Sequence, residues 1–260
     1  MRRAHAFAVV LVASSGAALV GACSSEIAQP SAGRPSVPED AGRTDGAAAA
    51  SHPGKTALAA CAANARPVAD IAALVEHAGA LPKPASVACL VASLPRPLAI
   101  VATTSAASAQ PAASPKSPRV FVLLPALVLS VVPEGAASSM VELGQWVDAT
   151  RTLKGEFAFP ITGAVAADAP FAHLAQPNGT TTCGVCHRGE SAHPSVARGY
   201  VSAAYRPNGG ADVAIATLSA EHDACTASGD TSSRCALFHA IFDFGVVTKG
   251  SFSAALDTFP

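Results

Sequence analysis

Residues 119–159 read RVFVLLPALVLSVVPEGAASSMVELGQWVDATRTLKGEFAF, and their texture decides the fold class. Short apolar runs are cut by Pro, Gly and Ser, and several carry β-branched or aromatic residues, which suit a pleated, half-buried surface. In Glu156-Phe157-Ala158-Phe159 the two rings fall on one face, because successive side chains of a strand alternate. The stretch predicts strands over Arg119–Leu124, Val128–Val132, Val141–Val147 and Leu153–Phe159. Upstream, the same texture predicts strands over Val87–Ala92 and Leu98–Thr103, and Ser105–Ser117 reads as a long loop. Trp146 falls in a strand pattern and reads as core or rim.

Helical periodicity flanks this region. Ile71, Leu74, Val75 and Ala78 are spaced at three and four, so Thr56–Ala80 predicts a helix with Pro67 placed to open it. Two further helices are expected over Val213–Cys225 and Arg234–Phe244. The second carries Leu237, Phe238, Ile241, Phe242 and Phe244, a broad apolar surface that must be buried. The expected class is α+β: a β-rich, sandwich-like or barrel-like domain with an N-terminal helix at residues 56–172, then a small, mainly helical segment at 173–260.

The N-terminal end has a different character. Arg2 and Arg3 precede an apolar stretch, Ala6–Val20, shorter than the roughly 20 residues of a membrane span, so residues 1–22 read as a signal peptide. Val20-Gly21-Ala22-Cys23 resembles the lipobox of bacterial lipoproteins. That resemblance implies an acylated Cys23 inserted in a lipid membrane, and Ser24 behind it implies an outer-membrane address, facing the periplasm or the surface. Residues 23–55 are rich in Ala, Gly, Ser and Pro and read as a disordered tether. The 17 basic residues, two of them in the leader, are scattered and face 18 acidic ones, so no nucleic-acid partner is expected.

Apart from Cys23, six cysteines remain. Export to an oxidising compartment permits disulfides. Pairing Cys61 with Cys89 and Cys225 with Cys235 closes moderate loops and leaves Cys183 and Cys186 for chemistry, though six cysteines allow 15 connectivities. Cys183-Gly184-Val185-Cys186-His187 is the strongest chemical motif in the chain. It is similar to the C-x-x-C-H site of c-type cytochromes, which implies covalent haem c on Cys183 and Cys186 with His187 as the proximal iron ligand. A local disulfide, or half of a zinc site, is the plainer reading of the same cysteines. The resemblance covers these five residues only.

The motif sits late, behind a β-rich region, and the mature chain's one methionine, Met140, lies upstream of it. A distal ligand is therefore sought among His239, His222, His193 and His173, or the position is open to water. His239 has Asp243 four residues on, placed to orient its ring. Phe238, Phe242 and Phe244 are candidates for a dry haem wall. Two functions are carried forward. One is a membrane-anchored monohaem electron carrier serving a redox partner protein in the cell envelope, an enzyme being conceivable if the iron is open. The other is a haem-free envelope lipoprotein acting as a disulfide-stapled binding module.

Overall fold

The computed structural model describes residues 53–172 and 174–259, which fall within one compact unit. The signal peptide, Cys23 and nearly all of the tether lie outside the described residues. Among the described residues the chain runs through α1 (Pro53–Ala62), α2 (Ile71–Ala80), α3 (Val87–Ala92) and strands β1 (Leu98–Thr103), β2 (Arg119–Leu123), β3 (Leu127–Val131), β4 (Met140–Trp146) and β5 (Arg151–Ala158). It continues through α4 (Ala169–Ala172), β6 (Ser191–Ala192), β7 (Tyr200–Ala203), β8 (Tyr205–Arg206) and β9 (Asp212–Val213). Then come α5 (Ile215–Ser228), α6 (Ser233–Phe242), β10 (Val247–Lys249) and β11 (Asp257–Thr258). No described helix is long and apolar enough to cross a membrane.

Nine of these strands form one sheet in the order β10-β1-β2-β3-β4-β5-β7-β6, with β9 on the end of β1. Every pairing is antiparallel except β1 with β10. The outermost strands do not pair with each other, so the sheet is open. The expected sandwich or barrel is thus replaced by a single sheet backed by helices. Alternation along a strand says that one face is buried, but not whether a sheet or a helix covers it.

Register separates the two faces. Val122, Leu129, Leu143 and Gly155 lie side by side on one, and Phe121, Ser130, Glu142 and Glu156 on the other. Val122, Leu129 and Leu143 of the first row belong to the apolar cluster shared with Ile71 and Leu74 of α2, Leu90 of α3 and Phe238 and Ile241 of α6. Gly155 permits this close packing, since a Cβ there would lie 3.2 Å from Pro170 and 3.4 Å from Ile71.

The Thr56–Ala80 pattern divides into α1 and α2. Pro67 lies between them, and Asp70 caps α2 by accepting from the Ala73 N–H at 2.7 Å. Val87–Ala92, expected as a strand, is the helix α3. All six residues are buried, so the run carries no periodicity to separate helix from strand, and Ser86 starts the helix by accepting from Cys89 N–H at 3.1 Å. Residues 173–260 contribute β6, β7, β9 and β10 to the common sheet as well as α5 and α6 to the helical layer. The structure pairs Cys61 with Cys89 and Cys225 with Cys235, the former linking α1 to α3 and the latter α5 to α6.

Candidate cofactor site

The sheet face turned away from the helices floors a half-open cavity of about 190 Å³. Arg119, Ser130, Glu142, Thr152, Lys154 and Glu156 rise into it from β2 to β5, beside Phe121 and Trp146. Trp146 therefore lines this cavity instead of serving the core.

Burial perturbs these charges. Desolvation lowers Arg119 and raises Glu142, and each is opposed by the other's charge. Their side chains meet at 2.5 Å, while Arg119 Nε donates to Ser130 Oγ at 2.6 Å and Nη1 donates to Ser108 Oγ. Lys154 is brought down to about 8, chiefly by burial. Its ammonium donates to Thr152 Oγ1 at 2.7 Å and to Ala203 O at 3.2 Å.

The cysteine motif lies against this floor. Thr181 begins a 3₁₀ turn, Thr182–Val185, by accepting from the Cys183 N–H through Oγ1. Glu190 in turn accepts from Thr181 N–H at 2.7 Å and from its hydroxyl at 2.5 Å. A Cβ on Gly184 would lie 3.0 Å from both Glu190 oxygens, so the first of the two residues between the cysteines has little room for a side chain. Cys183 and Cys186 are free thiols, the first half-buried and the second exposed. Burial pushes the Cys183 thiol up to about 11, the reverse of the acidic thiolate expected at a disulfide-exchange site.

His187 is fixed most firmly. Its Nδ1 lies 2.7 Å from Ala203 O, an acceptor that can only receive a proton, so Nδ1 carries the hydrogen and Nε2 keeps its lone pair. Burial, then the neighbouring Lys154, lowers this imidazole to about 4, which keeps it neutral at physiological pH. The ring stacks on Tyr205 at 5.4 Å between centroids, and Phe259 meets Tyr205 edge-on. Tyr205 and Phe259 are brought together by the pairing of β8 with β11.

A neutral imidazole with its second nitrogen held by a carbonyl is a metal-ready donor. With two free thiols on the adjoining turn, the set suits covalent attachment of a haem at residues 183, 186 and 187. At about 190 Å³ the cavity is smaller than the roughly 300–1,000 Å³ of ordinary small-molecule pockets, so it does not by itself enclose a group of porphyrin size.

The other expected site residues are not gathered here. His222 and His239 lie together with Asp243 in the helical layer and do not line the cavity. His193 is half-exposed beyond β6, and His173 lies outside the described residues. Phe238 is fully buried in the helical core, so the cavity's aromatic wall consists of Phe121, Trp146, Tyr205, Phe252 and Phe259. Lys154, Glu190 and Tyr205 were not singled out by the sequence. A strand alternation that places charge at 142, 154 and 156 opposite an apolar face was the available signal for the first. No family model, no curated protein and no solved structure matches the chain.

Proposed function

We propose that this protein is a c-type haem protein of the cell envelope, tethered through an acylated Cys23 and passing single electrons to a redox partner there. The observation that carries the reading is the orientation of His187: its Nδ1–H is committed to Ala203 O at 2.7 Å, leaving Nε2 to bind iron. When bound, the haem supplies a one-electron iron couple whose potential depends on its axial ligands and burial.

The chain's own residues perform three tasks in this reading. Cys183 and Cys186 give the two thioether links, held in place by the Thr181–Glu190 cap. Ala203 O keeps the His187 tautomer constant, and Tyr205 holds the plane of its ring. Arg119, Glu142 and Lys154 set the polarity of the cavity next to the motif.

The test is production of the full chain with a c-type maturation system, followed by a haem stain on a denaturing gel and a visible spectrum. Wild type is expected to stain and to show a reducible haem spectrum, and the Cys183→Ser, Cys186→Ser double variant to lose all stain. A colourless, folded wild type from the same cells overturns the reading in favour of a haem-free, disulfide-stapled binding module.

A further inference from the structure

The helical layer holds a second set of donor atoms, independent of the cysteine motif. His222 lies in the middle of α5, His239 in the last turn of α6, and Asp243 at the C-cap of α6. His222 Nε2 is 2.8 Å from Asp243 Oδ1, and His239 Nδ1 is 3.0 Å from Asp243 Oδ2. One ligand atom from each residue lies within 4.8 Å of the other two. The side chains are 15%, 2% and 6% exposed, in that order.

The two short contacts are of hydrogen-bond length, so an ion would replace the ring protons there and open the contacts by a few tenths of an ångström. A tetrahedral ion with nitrogen and oxygen ligands at about 2.0–2.2 Å holds its donors about 3.3 Å apart. Both rings present the nitrogen that such an ion needs. His239 lies against the α1 backbone at Gly54, where a Cβ would fall 2.2 Å from Cδ2 and 2.7 Å from Nε2, so the Nδ1 edge is turned toward Asp243. His222 Nδ1 lies 3.3 Å from Asp223 Oδ1. With that nitrogen donating to Asp223, Nε2 can give up its proton and offer its lone pair to an ion shared with Asp243. Without an ion the same 2.8 Å contact is a hydrogen bond from Nε2–H to the carboxylate, so the ring proton holds the position that a metal ion would take. A carboxylate behind the far nitrogen of an imidazole is also a recurrent arrangement at metal ligands.

The scaffold around the three residues is braced. Cys225 is three residues after His222 and Cys235 four before His239, so the Cys225–Cys235 bridge lies along the same α5–α6 seam. Arg96 donates to the Ala240 and Ile241 carbonyls at 2.5 and 2.6 Å, tying down the last turn of α6. The negative end of the α6 dipole adds to the attraction for a cation.

We infer that His222, His239 and Asp243 form a structural site for a divalent transition ion of the zinc type, fastening α5 to α6. Two imidazoles and one carboxylate suit zinc and disfavour magnesium or calcium, which take oxygen ligands.

The experiment uses the full chain with Cys183 and Cys186 alkylated, so that the motif thiols cannot take up the ion. After treatment with a chelator and dialysis, zinc is titrated while metal content and thermal unfolding are followed. Uptake of one equivalent is expected, with a melting temperature raised by roughly 5–10 °C at a hundredfold excess over Kd. His239→Asn and His222→Gln should each weaken uptake at least tenfold. Should the buried His239→Asn variant fail to fold, the partly exposed His222→Gln carries the test, its fold checked by circular dichroism. Absence of saturable zinc uptake by wild type, or full uptake by folded His222→Gln, overturns the assignment.

Discussion

The two faces of the central sheet are made from the same strands and serve different ends. Toward the helices, β2 to β5 present Val122, Leu129, Val141, Leu153 and Phe157, all nearly inaccessible to solvent. Toward the cavity they present Arg119, Ser130, Glu142, Lys154 and Glu156. Burial of each large apolar side chain on the first face contributes about 1.5–3 kcal/mol. On the second face burial works against the charges, pulling Arg119 and Lys154 down and Glu142 up. The cavity face thus keeps charges under a desolvation penalty beside a thiol and an imidazole, whereas the helix face holds the fold together.

Neighbouring residues of β3 test this contrast with the largest expected effect. Leu129→Ala, on the helix face, is expected to cost about 2–5 kcal/mol in urea denaturation, whereas Val128→Thr on the cavity face costs less than about 1 kcal/mol. Equal losses would erase the distinction between the faces.

The disulfides sharpen it, since both lie in the helical layer. Chain-entropy reasoning assigns about 3.6 kcal/mol to Cys61–Cys89, with its separation of 28 residues, and about 2.7 kcal/mol to Cys225–Cys235, with a separation of 10. Paired alanine variants compared by thermal unfolding should keep that order.

On the cavity face, Glu142→Gln leaves the Arg119 guanidinium, 15% exposed, without its charged partner. A loss of about 1–3 kcal/mol is expected, below the figure for a fully buried pair because Glu142 retains 27% exposure. An unchanged urea midpoint would mean that the pair contributes nothing to the fold.

The smallest effect concerns pH and the helix side. His77 is buried and its Nε2 lies 2.7 Å from Ser93 Oγ. Burial, reinforced by Arg66, lowers its pKa below 6.5. The unfolded chain then binds the proton first. The stability of the neutral ring is complete above about pH 6.5 and is lost as pH falls through the depressed folded value. Urea midpoints at about pH 7.5 and about pH 5 should differ less in His77→Gln than in wild type.

Strands β1 to β5 were legible within a few residues because half-buried strands alternate, and α6 because Leu237, Phe238 and Ile241 had to be buried, whereas α5 buries only Leu218 and Cys225 and shows no such stripe. Segment α3 was not, since six consecutive buried residues show no period. The cover of the sheet was illegible for another reason: Leu129 and Leu143 would look the same beneath a helix or a second sheet. At the candidate site, Cys183, Cys186 and His187 could be read because they are adjacent. The group that fixes His187 is the carbonyl of Ala203, which every residue possesses and no sequence pattern marks. The neighbourhood of His222 and His239 depends on how α5 folds back on α6, and acidic neighbours in sequence only hinted at it.

The haem assignment rests on covalent chemistry at one peptide, and mass spectrometry reads that directly. In protein matured in the envelope, the proteolytic fragment holding Cys183 and Cys186 is predicted to carry the mass of one porphyrin and its iron. Recovery of that fragment unmodified, as two thiols or one disulfide, would contradict the account.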